Sequence, residues 1–172
     1  EWDTMTTALN VVSIDVTLPG GTPQLIPGTD NASGLSLGAN EDEIYFTLSG
    51  DARVYRQTLS SGAVSVAYDF GAAGMARDVH VVGSRMAAVV GGRVTYGIDP
   101  RFGPTQWDSG GVLHIVDLPS GLDRVLDGPG LFRRPQVSPS GSAVVVEVYP
   151  LEVVFGDTMV SRRSDLYLYG LP

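Results

Sequence analysis

One short pattern returns four times along this chain: an apolar-alternating run that closes on Leu and is followed by a small turn. The first copy is Val11-Val12-Ser13-Ile14-Asp15-Val16-Thr17-Leu18 before Pro19-Gly20-Gly21, and the second is Val54-Tyr55-Arg56-Gln57-Thr58-Leu59 before Ser60-Ser61-Gly62. The third is Val112-Leu113-His114-Ile115-Val116-Asp117-Leu118 before Pro119-Ser120-Gly121, and the fourth is Asp165-Leu166-Tyr167-Leu168-Tyr169-Gly170-Leu171, which reaches Pro172. Alternation at period two followed by a Gly-containing turn is the signature of a β-hairpin.

A second kind of hairpin lies between these copies. It is clearest where Arg134-Pro135-Gln136-Val137-Ser138-Pro139-Ser140-Gly141 leads into Ser142-Ala143-Val144-Val145-Val146-Glu147-Val148. Its equivalents are Gly34 to Gly38 leading to Glu43 to Leu48, and Asp78 to Val82 leading through Gly83-Ser84 to Met86 to Val90. Two hairpins per unit make four strands per unit. The repeating Leu recurs after about 41, 59 and 53 residues, against about 40–45 for a four-stranded propeller blade. The expected fold is therefore all-β: a β-propeller of four-stranded antiparallel blades, about three to four of them, forming an arc of a larger propeller.

With strands named a to d from the axis outward, the whole chain reads as one propeller segment. A partial blade occupies 1–28, whole blades occupy 29–71 and 72–128, and a second partial blade occupies 129–172. The two partial ends would supply five strands, one more than a blade needs, and closed propellers usually have at least four blades. An open arc leaves unpaired edges and apolar faces exposed. Missing blades or another chain are thus expected to complete the ring.

Composition narrows the function. Of 172 residues, 43% are apolar and 17% charged, in the range of globular proteins. The 22 Gly and 11 Pro punctuate the short apolar runs as they do in all-β chains. A net charge of −8 repels a phosphate backbone, so nucleic acid is not an expected partner. No apolar stretch is long enough to span a membrane as a helix. All eleven cations are Arg, which reads as codon bias of a GC-rich source. With no Cys, disulfides, thiolate metal sites and a Cys nucleophile are excluded.

The stretch Arg134-Pro135-Gln136-Val137-Ser138-Pro139-Ser140-Gly141 resembles the repeat of TolB-type, WD40-like propellers, in which Pro, an apolar residue, Ser-Pro-Asp-Gly and an apolar strand recur. Asp165 to Tyr169 and Leu113 to Gly121 resemble the segment that follows in that family. Ser140 stands where the family usually has Asp, and the first two repeats lack the Ser-Pro pair. The resemblance implies a propeller of the kind found in periplasmic TolB, in propellers attached to bacterial kinases and in those of prolyl-oligopeptidase-like peptidases. It implies a place outside the cytoplasm, though the sequence is also compatible with a cytoplasmic one. The fold alone does not choose among these functions.

Two insertions are the candidate binding elements. Residues 95–110 and 150–163 both join strand b to strand c, and equivalent connections of successive blades emerge on one face. They carry Tyr96, Arg101, Phe102, Trp107, Phe155, Arg162 and Arg163. Aromatic residues and Arg are enriched at interface hot spots, and long loops on rigid scaffolds commonly hold function. The plainer alternative is that these segments pack on each other or form a small additional hairpin. Asp78 and His80 share one face of an inner strand. They would bind a metal or move a proton if they lined an axial channel, or form a hydrogen-bonded polar pair if they did not. His114, alone in an apolar strand, reads as packing. Glu41-Asp42-Glu43 reads as a solvated turn, and Asn31-Ala32-Ser33 fits a glycosylation pattern too short to carry weight.

The chain lacks a Gly-x-Ser-x-Gly elbow, a phosphate-cradling Gly loop and His-Glu-x-x-His, and it has only two His. The sequence therefore leads to a non-catalytic module that binds a protein or peptide and needs no cofactor or metal. The alternative is the propeller domain of a prolyl-oligopeptidase-like peptidase, or of another propeller enzyme, whose catalytic part lies outside this segment.

Overall fold

A computed structural model describes the backbone of residues 12–13, 24–40, 42–92, 94–99, 103–108, 110–154, 157–160 and 164–172, and side chains for 25–40, 42–92, 110–150 and 164–172. The strands are β1 Val12–Ser13, β2 Gln24–Leu25, β3 Ala32–Leu37, β4 Glu43–Leu48, β5 Arg53–Thr58, β6 Val64–Asp69, β7 Ala76–Val82 and β8 Arg85–Val90. They continue as β9 Val94–Asp99, β10 Gly103–Asp108, β11 Val112–Asp117, β12 Leu122–Leu126, β13 Gly130–Val137, β14 Ala143–Val154, β15 Asp157–Val160 and β16 Asp165–Gly170. Among the described residues the only helical turn is a short 3-10 segment, Gly71–Ala73, and no helix is long and apolar enough to cross a membrane.

Three four-stranded antiparallel sheets form the body. The first runs β3-β4-β5-β6, and the second runs β7-β8-β11-β12. In the third, β13 and β16 flank β14, whose far half pairs with β15. β1 pairs with β2 ahead of the first sheet. The first strand of each sheet, β3, β7 or β13, lies at an edge, and these three edge strands succeed one another in space, which makes them the inner strands of the arc.

The recurring Leu has one structural job in all three sheets. Its N–H donates to the carbonyl of the residue ending the a–b turn: Leu59 to Asp42 (2.7 Å), Leu118 to Ser84 (2.9 Å) and Leu171 to Ser142 (2.7 Å). The bond ties the end of strand c to the a–b turn in each of the three sheets, and it fixes which positions are equivalent from sheet to sheet.

The core lies between sheets. Central strands are buried on both faces, so they read as near-continuous apolar runs such as Met86-Ala87-Ala88-Val89-Val90. Met86, Ala88, Val90 and Val116 face the first sheet with Tyr45, Val54 and Phe70. Ala87, Val89, Leu113 and Ile115 face the third with Phe132, Val137, Val144, Val146 and Val148. Fully burying a Val, Leu or Ile contributes about 1.5–3 kcal/mol, so these two seams hold the arc together. Pro135 sits inside β13 without breaking the sheet, because the register shifts between Arg133 and Gln136 and Arg134 takes φ +48°.

Candidate functional site

The b–c connections of the second and third sheets form two β-ribbons. Residues 94–99 and 103–108 pair as β9 and β10, with Tyr96 opposite Gln106 and Trp107 opposite Thr95. In the third sheet β14 runs on past Pro150, and Leu151 to Val154 pair with β15. Of the candidate contact residues, Tyr96 and Trp107 are thus placed on paired strands, with their side chains outside the described residues. Arg101, Phe102, Phe155, Arg162 and Arg163 lie wholly outside them.

The necks of the two ribbons are neighbours. Val112 of β11 pairs with Val90 of β8 at the base of the first ribbon, and the next residue back, Gly111, exchanges two backbone hydrogen bonds with Phe132 of β13. Phe132 in turn pairs with Val148 of β14, shortly before that strand enters the second ribbon. Glycine is required at this crossing. Gly92 and Gly110 have φ of +77° and +65°, and a Cβ on Gly92 would collide with the Gly110 carbonyl oxygen. The Arg77 guanidinium donates to that same oxygen at 3.4 Å.

Glu147 anchors the second ribbon. Its Oε1 accepts from the Tyr149 hydroxyl (2.9 Å) and the Ser164 hydroxyl (2.7 Å), which gathers residues on either side of the ribbon. Its Oε2 accepts from the Arg134 guanidinium at 3.3 Å. Partial burial works against ionisation of this carboxyl, but the hydrogen bonds from Ser164 and Tyr149 and the Arg134 charge outweigh it and hold the pKa below its ordinary value. At the b–c turn of the first sheet, Asp51 receives Arg53 Nε and Nη2 (2.9 and 2.8 Å) and the Tyr55 hydroxyl (2.6 Å). The Arg53 bond, then the Tyr55 bond, keep the Asp51 carboxyl well below the usual carboxylate range. Sequence reasoning passed over this cluster, although Asp51, Arg53 and Tyr55 alternate at the spacing that puts strand residues on one face.

Asp78 and His80 both point to the neighbouring inner strand. Asp78 Oδ2 accepts the Arg134 backbone N–H at 2.9 Å, and His80 Nδ1 accepts the Val137 N–H at 3.0 Å. Burial lowers the His80 pKa, which favours the neutral acceptor form. Among the described residues no three His, Cys, Asp or Glu side chains gather as a metal site. His114 packs edge-on to Phe70 (ring centroids 5.1 Å), and its Nδ1 also meets Asp123 Oδ2 across the β11–β12 hairpin at 2.8 Å. Asp42 is tied to the c–d turn: its carboxylate accepts the Ser60 N–H and hydroxyl, both at 2.7 Å.

No protein-family model matches the chain, and no curated protein matches it. Solved structures do. TolB from Acinetobacter baumannii aligns with 95% of this chain at a TM-score of 0.61 and 15% identity, and a putative TolB from Agrobacterium tumefaciens with 89% at 0.56 and 14%. The tricorn protease aligns with 87% at 0.52 and 11%. The chain spans 38%, 63% and 15% of those chains respectively. At these identities the likeness concerns the backbone, and with the three meandering sheets it gives the chain the fold of a TolB-like β-propeller, in part.

Proposed function

We propose that this propeller segment is a non-catalytic module that binds a protein or peptide through the end of the arc carrying the two ribbons. The observation behind this reading is the rooting of both ribbons at adjoining necks, through the Gly111–Phe132 bridge and the continuous strand β14. Ribbons braced in this way present residues to a partner with little ordering cost on binding. Tyr96, Arg101, Phe102, Trp107, Phe155, Arg162 and Arg163 are the contact residues. Their aromatic and guanidinium groups suit an extended peptide with acidic and apolar side chains. The module needs no cofactor, and it works outside the cytoplasm.

Peptides selected from a random library on the wild-type chain test this reading. Their affinity, measured by calorimetry, is expected to fall at least about tenfold when Trp107, Arg162 and Arg163 are replaced together by Ala, since a hot-spot residue is worth upwards of about 1–2 kcal/mol. Unchanged affinity in that variant overturns the reading. The second reading, a propeller domain that serves a peptidase or other enzyme, has the tricorn protease likeness behind it. It requires a catalytic domain in the same polypeptide or complex, which the sequence flanking residues 1 and 172 would reveal.

A further inference from the structure

The inner strand β7 carries one extra residue. Its register with β8 slips between Ala76 and Val79, which makes a bulge of Arg77 and Asp78. A bulge re-aims the side chains it holds. Here two adjacent residues reach the bases of two different ribbons.

Arg77 serves the first ribbon. Its Nη1 donates to the Gly110 carbonyl at 3.4 Å and lies 3.0 Å from where a Cβ on Gly92 would stand. Gly92 comes shortly before β9 and Gly110 shortly after β10, so one guanidinium lies against both legs of that ribbon. The Arg77 carbonyl accepts the Thr47 hydroxyl of β4 at 2.7 Å. Gly34 makes room for this contact, since a Cβ there would collide with the same carbonyl oxygen. The bulge is thereby held from the first sheet.

Asp78 serves the second ribbon. Its Oδ2 accepts the Arg134 N–H at 2.9 Å, where β13 has its own irregularity and φ is +48°. The Arg134 guanidinium donates to Glu147 Oε2 at 3.3 Å. Glu147 Oε1 in turn gathers Tyr149 and Ser164, one from each leg of the second ribbon. The polar paths from the two ribbons therefore meet at a single peptide bond, the one between Arg77 and Asp78.

Resting on the binding function proposed above, we infer that the Arg77–Asp78 bulge positions the two ribbons relative to each other, so that one peptide engages both at once. Apolar packing at the necks is non-directional, whereas hydrogen bonds fix direction as well as distance. Two contacts on one frame reinforce each other only when their spacing matches the ligand. Arg77 and Asp78 are positioning residues that act through the necks.

The chain has no Cys, so nitroxide labels on Gln106→Cys in β10 and Thr158→Cys in β15 can report the distance between ribbons by double electron–electron resonance. A single narrow distribution is expected in the otherwise wild-type chain. Asp78→Ala and Arg77→Ala are each expected to broaden it. Asp78→Asn, whose amide oxygen still accepts the Arg134 N–H, keeps it narrow. Ser36→Ala removes an acceptor from the Val81 N–H elsewhere on β7 and also leaves it narrow, which separates positioning from general loosening. Circular dichroism checks that each variant is folded. Affinity for peptides selected on the wild type is expected to fall about tenfold in Asp78→Ala and to be kept in Asp78→Asn. A distribution unmoved by Asp78→Ala and Arg77→Ala, or moved as much by Ser36→Ala, overturns the inference. Unchanged peptide affinity in an Asp78→Ala chain whose distribution has broadened overturns it too. Distances that respond as expected while the wild type binds no peptide support the positioning role and overturn the binding function instead.

Discussion

A histidine that accepts a backbone N–H can do so only while neutral, which makes His80 sensitive to acid. Its pKa is lowered by burial, so the folded state binds a proton less readily than the unfolded state. The stability it contributes is complete above the ordinary value of 6.5 and is lost as pH falls through the folded-state value. His80→Ala should destabilise the chain by about 1–2 kcal/mol at pH 8, the cost of leaving the Val137 N–H without its partner. That deficit should shrink below pH 6, because the wild type is weakened there and the variant is not. Urea denaturation of both proteins at pH 8 and pH 5 measures it. His114 offers a contrast: it is 6% exposed and bonded to Asp123 within its own hairpin. Asp123→Ala should cost about 1–3 kcal/mol by leaving a buried ring nitrogen unpaired, read as a lower urea midpoint at pH 8.

The hairpins were legible in the sequence because their faces alternate, and the repeated Leu gave their spacing. Residues 94–108 were harder to read as strands. Pro104 falls in the middle of β10, and a proline within a run ordinarily argues against pairing. The kinship of Ser36 and His80 was invisible for another reason: Ser36 Oγ accepts the Val81 N–H and His80 Nδ1 the Val137 N–H, so each ties its strand to the first strand of the next sheet, yet the two share only an acceptor atom. The contact residues on the ribbons were chosen by type alone, and the backbone pairing of Tyr96 and Trp107 adds their place on a strand, not what they touch. The necks give a direct test at this scale. Gly110→Ala meets both the left-handed φ and the Leu131 Cβ at 2.7 Å from the added methyl. It should cost about 1–3 kcal/mol and raise hydrogen exchange in 94–108 more than in β4 or β5.

Cooperativity between sheets is set by the second sheet, which contributes to both apolar seams. Leu113→Ala should lower stability by about 2–5 kcal/mol by opening a cavity in the seam with the third sheet. Leu166→Ala, five residues before Leu171 as Leu113 is before Leu118 but 77% exposed, should cost under about 0.5 kcal/mol. Thermal melts of the two variants, side by side, check that position in the arc and not residue type decides the effect. A single transition in the Leu113 variant is expected, since loosening one seam also removes cover from the sheet shared with the other.

The twelve-residue strand β14 belongs at once to the interior and to the projecting ribbon. Inside the sheet it is bonded on both sides, to β13 from Gly130 to Val137 and to β16 from Asp165 to Gly170. A pull on the ribbon tip along the strand axis would therefore load both rows of hydrogen bonds in shear, many at a time, instead of peeling them one by one. A partner gripping that ribbon would be tethered to the most firmly riveted strand of the third sheet, and tension would break its hold on the ribbon before it drew the strand out.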